Sequence, residues 1–311
     1  GLNGGDQWSD AINIGDTQGV ITNMFLLNDH LVVGKTDGLY QVDADGAVHS
    51  LLGGLNVNVS SNNFKYVAYW QSGTYFSLLR GMAEVTTNNG FAPMGPLGDT
   101  DDINKVGEVV GIAADRDWLY VAVDEGTNTH IYKGKETAQF GWVWCPWVFL
   151  STNACAAIAV CQHTATDRRL WFAYGTTTGY VILSDNPTSD SLARFAASGL
   201  IRMSYTYGTN PFWDKLWQSV VTETKGCTAN LTVTPYYRRD TDTSSSQLTA
   251  AITGNGVART DLTAEIASKR MLFELQLATN DSTTTPQVLS FIGRGVEKPE
   301  TVRIHEATYV L

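Results

Sequence analysis

Along most of this chain, apolar residues come in short runs of strand length, bounded by Gly, Asn and Asp; helical spacing is almost absent. The runs recur in order. Ile21–Leu27, Leu31–Gly34, Gly38–Val42 and Ala47–Leu52 predict four short strands joined by tight turns. Lys65–Trp70, Tyr75–Leu79, Met82–Thr86 and Phe91–Met94 repeat the plan, as do Val109–Ala114, Trp118–Val123, His130–Lys133 and Trp142–Leu150. Ala156–Val160, Leu170–Ala173 and Tyr180–Leu183 give a fourth copy without an obvious last strand. The second strands share one pattern: Leu31-Val32-Val33-Gly34, Tyr75-Phe76-Ser77-Leu78, Leu119-Tyr120-Val121-Ala122 and Leu170-Trp171-Phe172-Ala173. A small sheet of this kind buries its faces only by stacking on neighbours, and a period of about 40–45 residues matches a propeller blade. Trp8–Ile14 either completes the fourth copy, closing a ring, or ends a blade lying upstream of Gly1; the abrupt start favours the second.

The pattern changes at Ser184–Ser191, a polar linker. Beyond it the alternation lengthens: Ile201, Met203, Tyr205 and Tyr207 against Arg202, Ser204 and Thr206, then Lys215–Glu223, Ala229–Arg238, Met271–Leu277 and Val288–Gly293, with a polar hairpin tip at Asp240–Gln247. Such period-two patterning predicts an antiparallel sandwich. Thr263–Ala267 is read as one helical turn, and Tyr205, Tyr207, Phe212, Trp213 and Trp217 as packing between the domains. The fold class expected is therefore all-β: about four four-stranded blades (1–190), a sandwich (191–300) and an exit strand or linker to a further module (301–311).

Charge narrows the partners. The 311 residues carry a net charge of -10, which disfavours nucleic acid and anionic membranes. No apolar run approaches the ~18 residues of a membrane helix. Cys145, Cys155, Cys161 and Cys227 lack zinc-site spacing; free thiols are expected, with a disulfide among the first three left open.

Several segments are similar to propeller-bearing structural proteins of tailed bacteriophages. They are Leu31–Tyr40, Arg169-Leu170-Trp171-Phe172, the Asn186-Pro187 linker with Arg194–Gly199, and Arg270–Thr279 followed by Pro286 and Pro299-Glu300-Thr301. The resemblance implies a tail, baseplate or fibre component, located in the virion or outside the cell, oligomeric and in contact with other assembly subunits. It identifies no functional residue.

Candidate chemistry is sparse. None of His30, His49, His130, His163 and His305 adjoins a nucleophile signature, and the Ser-x-Asp-x-Gly-x-x-Trp turn of sialidase-type propellers is missing. The chain is thus expected not to be an enzyme, with a propeller-type glycoside hydrolase as a further alternative. No cofactor is implied, although Ca is a candidate at the acidic loop of Asp99, Asp101 and Asp102, which a solvated loop also explains. Asp43-Ala44-Asp45-Gly46 reads as a hairpin turn. Trp142, Trp144 and Trp147, with Phe140 and Phe149, cluster on one outer strand. Stacking on cell-surface glycan is one reading of these rings, in a carbohydrate-binding (receptor-binding) module; packing between blades is the other.

Overall fold

The computed structural model describes residues 12–16, 18–51, 58–85, 91–96, 107–139, 141–152, 154–164 and 167–298. It is all-β, in two compact units, Gly1–Leu183 and Ser184–Leu311.

The first unit is a row of small antiparallel sheets in which every strand pairs with its sequence neighbour. Blade 1 holds β1 (Ile21–Leu27), β2 (His30–Lys35), β3 (Gly38–Val42) and β4 (Val48–Ser50). Blade 2 holds β5 (Val67–Trp70), β6 (Gly73–Ser77), β7 (Met82–Val85) and β8 (Phe91–Gly95). Blade 3 holds β9 (Glu108–Ala114), β10 (Leu119–Asp124), β11 (Thr129–Thr137) and β12 (Gly141–Leu150). Blade 4 has three strands among the described residues, β13 (Cys155–Gln162), β14 (Arg168–Tyr174) and β15 (Thr177–Ile182). Residues 12–14 form no strand, and residues 8–11 lie outside the described residues. Residues 12–16 instead lie against blade 1: buried Lys35 donates from Nζ to the carbonyl of Ile14 (2.7 Å) and to that of Asp16.

The turns follow from local chemistry. Asn28 and Asp29, both at positive φ, turn β1 into β2, as suits residues that tolerate the left-handed region. Asp43–Gly46 closes as a turn, Gly46 N–H donating to the Asp43 carbonyl (2.9 Å) with Gly46 at φ 86. Alternation then sends one face of each sheet forward and the other backward, so that successive blades share a core. Phe25, Val32 and Leu39 meet Phe64, Phe76 and Ala83; Trp70, Tyr75 and Met82 meet Val109, Leu119 and Val121; Tyr120, Ala122 and Ile131 meet Leu170 and Phe172. Burial of such side chains stabilises by about 1.5–3 kcal/mol each.

The second unit is two sheets with non-sequential pairing: β16 (Ser198–Arg202), β21 (Met271–Thr279), β18 (Leu231–Arg239) and β19 (Ser246–Gln247), in that order, and β20 (Gly256–Ser268), β17 (Asp214–Lys225) and β22 (Gln287–Lys298). Their shared core contains Trp217, Val220, Met271 and Phe273, with Cys227, Val233 and Leu275 beyond. Three sequence expectations change here. Thr263–Ala267 is strand, the end of β20. The alternation from Ile201 to Tyr207 stops at Arg202 as a strand, leaving a single bridge from Thr206 to Met271. Tyr207, Phe212 and Trp213 are exposed rather than packed, whereas Trp217 is core. Residues 301–311 lie outside the described residues.

Candidate functional sites

The aromatic strand β12 divides its rings between two blade interfaces. Trp142 stacks on Trp144 (centroids 5.6 Å apart, 17° between planes) and packs against Trp70 and Tyr75 of blade 2 at 5.8 and 5.7 Å. Trp144 Nε1–H donates to the Met94 carbonyl (2.7 Å) and its ring covers Gly134, where a Cβ would come within 2.4 Å of ring carbon. Trp147 belongs to the opposite face. Tyr132 pairs with Pro146 and Ile131 with Val148, so a β-bulge leaves Trp147 unpaired and turns it onto Tyr120, 5.4 Å away. All three rings are partly buried, and their faces are occupied by neighbouring side chains. Phe149 is exposed and lies 4.7 Å from the His130 ring; Phe140 is outside the described residues.

Asp99, Asp101 and Asp102 also lie outside the described residues. Among the described ones, no group of three or more His, Cys, Asp or Glu side chains is placed to hold a metal ion. The four cysteines are free: Cys155 and Cys227 buried, Cys145 and Cys161 exposed. Burial pushes the Cys155 thiol above its ordinary pKa, which keeps it protonated and unreactive.

Blade 1 carries a charged cluster that sequence spacing did not reveal, because the hairpins bring it together. Asp43 lies 3.0 Å from His49 Nε2 and 3.5 Å from His30 Nδ1, and accepts from Gln41 Nε2 at 2.7 Å. The Gln41 hydrogen bond first, and then the two imidazoles, hold the Asp43 carboxyl below the usual carboxylate range. The cluster is open to solvent.

Two clefts remain. In the first unit, Leu79, Arg80, Gly107, Glu108, Asp124 and Gly126 line a space of about 280 Å³. Glu108 and Asp124 are cross-strand partners; Glu108 accepts from Asn62 Nδ2 (2.5 Å) and Asp124 from Gly126 N–H (2.8 Å). In the second unit, a cleft of about 320 Å³ is bounded by Thr188, Phe195, Thr228, Leu231, Thr285 and Gln287, among others, and no charged side chain lines it. Its shape is set by backbone bonds: Phe195 N–H donates to the Ser282 carbonyl (2.8 Å), and Asp281 accepts from Thr283 through both N–H (2.8 Å) and hydroxyl (2.7 Å). Those bonds hold the Asp281 carboxyl below its ordinary range. The Thr residues are scattered in sequence, so only the fold shows them as one surface.

No family model matches this chain. No curated protein matches it either. Solved structures do. The extracellular domain of a hybrid two-component system from B. thetaiotaomicron matches at 13% identity and TM-score 0.37, covering 68% of this chain and 32% of that one. PorZ, a surface component of the type-IX secretion system of Porphyromonas gingivalis, matches at 14% identity and TM-score 0.32, over 58% of this chain and 23% of its own. The chain thus spans a third or less of these two proteins. An exo-β-1,3-galactanase from Phanerochaete chrysosporium matches at 10% identity and TM-score 0.30, over 88% and 95% of the two chains. Glycoside hydrolases stand among these matches, which goes against the expectation that the chain is not an enzyme. At such TM-scores the matches assign no activity.

Proposed function

We propose that the chain is a carbohydrate-binding module of an extracellular or virion protein, and that the uncharged cleft of the second unit holds the sugar. One observation carries this reading: a concave surface that combines an aromatic ring, Phe195, with threonine hydroxyls and the Gln287 amide, and has no ionisable group in its lining. Neutral saccharides offer apolar CH faces and many hydroxyls, so an aromatic ring beside uncharged donors and acceptors matches them. The test is a glycan array followed by calorimetry on the hit. Saturable binding that weakens at least tenfold in Phe195→Ala and persists in Trp144→Ala supports the cleft. A blank array, or binding lost only in Trp144→Ala, overturns it.

A second reading is a subunit of a larger assembly such as a phage tail. It is favoured by exposed apolar surface of the kind that marks protein interfaces: Phe212 is 76% exposed and Trp213 39%, and Met24 and Leu26 at one end of the blade row and Tyr180 at the other are exposed. Mass spectrometry of purified virions tests it; absence of the chain from the particles overturns it.

A further inference from the structure

Three interior interfaces show how one blade covers the next; blade 2 is offset by one position, Tyr75 facing blade 3 and Phe76 blade 1. In blade 3, Leu119 and Val121 face blade 2, while Tyr120 and Ala122 face blade 4. Blade 4 carries the same four-residue pattern: Leu170 and Phe172 face blade 3, which sends Trp171 and Ala173 backward. Tyr120 and Ala122 are almost fully buried by the blade that follows them, whereas Trp171 and Ala173 are only partly buried and no further blade follows them among the described residues. The free face of blade 4 continues across its strands. Ala159, Trp171 and Tyr180 form one row and Cys161, Arg169 and Ile182 another, with the Trp171 and Tyr180 rings 4.8 Å apart and the Arg169 guanidinium 4.3 Å over Tyr180. Tyr180 is 46% exposed. Its inner strand β13 presents only small side chains on this side, Ala157, Ala159 and Cys161, all exposed.

Blade 1 shows the opposite end. Phe25 and Val32 face blade 2, so Leu26 with its partner Leu31, and Met24 with Val33, face forward. Residues 12–16 lie against part of that face, but Met24 and Leu26 on the inner strand remain about 60% exposed. Among the described residues, no buried cluster joins blade 4 to blade 1.

At the joint of blades 3 and 4 a small residue of one inner strand meets a large one of the next: a Cβ on Gly111 of β9 would lie 3.0 Å from Ile158 of β13. Ala157 and Ala159 form the same kind of shallow seat, and Met24 and Leu26 are side chains of the size that fills it. We propose that the free face of blade 4 receives the free face of blade 1 of a second copy, head to tail, repeating the sense of the interior interfaces. Two copies then contribute eight blades, a number that closed propellers reach, and a head-to-tail contact closes when the rotation per copy allows it. This pairing rests on the assembly reading and is independent of the sugar cleft.

The experiment uses the whole chain. Light scattering is expected to give twice the 33.9 kDa of one copy, falling to 33.9 kDa in Leu26→Glu and in Ala159→Glu, with unchanged circular dichroism. In a background of Cys145→Ser and Cys161→Ser, Leu26→Cys and Ala159→Cys proteins cross-link when mixed and not when each is alone. A chain that remains monomeric at its highest attainable concentration overturns the pairing, as do cross-links formed equally well by either variant alone. Neither result touches the wider assembly reading, which stands or falls on the virion analysis.

Discussion

The two units use the same strands to different ends. In the first, each sheet is built from consecutive hairpins, and cohesion comes from cores shared between successive sheets. In the second, β17 is flanked by β20 and β22, and β21 by β16 and β18, so chain-distant strands must meet before either sheet exists. Local sheets stacked in a row behave as repeat units with nearest-neighbour coupling, whereas the sandwich is one cooperative core. The difference concerns where loss of a single side chain is felt.

The largest expected effect tests that separation. Phe76 is fully buried between blades 1 and 2, and Phe273 between the sheets of the sandwich. Phe76→Ala and Phe273→Ala should each cost about 3–5 kcal/mol. In calorimetry each should lower one of two transitions and leave the other in place. A single transition lowered equally by both variants would show that the units unfold together.

A smaller effect probes how the sandwich handles charge. Glu274, nearly buried in β21, accepts from Arg202 Nε of β16 at 2.6 Å. Arg202→Met leaves the carboxylate buried without that donor and should destabilise the second unit by about 1–3 kcal/mol. Denaturant unfolding of Arg202→Met and of the double variant Arg202→Met/Glu274→Leu checks this: the double variant should recover much of the loss.

The smallest effect contrasts charge in the blades. Burial, opposed by the hydrogen bond from Tyr75, raises the Glu84 carboxyl above its ordinary pKa. A raised acid pKa means that the ionised form is disfavoured in the folded state. The folded state is therefore penalised above the folded pKa and relieved as pH falls towards the unfolded value. Glu84→Gln should raise Tm slightly at pH 7 and leave it unchanged near pH 4, as read by thermal melts at both values; the gain is kept small by solvent screening.

The contrast also explains what the sequence discloses. Blade strands are short, their partners adjacent and their turns marked, so Asn28-Asp29 and the Leu119–Ala122 pattern were readable in one pass. Long-range pairing leaves no local mark. Thr263–Ala267 reads as a helical turn because Ala and Glu favour helices, yet pairing of Lys215–Trp217 with Ile266–Ser268 extends it as strand. The clustering of Trp142, Trp144 and Trp147 was visible, but a bulge opposite Ile131 and Tyr132 decides which interface each ring joins, and no periodicity encodes it. The threonine cleft and the His30–Asp43–His49 cluster were unreadable for the same reason: each exists only after loops from separate strands come together.

The meeting of Gly111 with Ile158 has a consequence for how such a chain changes over generations. Any side chain at Gly111 would press on Ile158 and strike the seam between blades 3 and 4, so selection should hold position 111 small while the exposed turns that join the same strands vary.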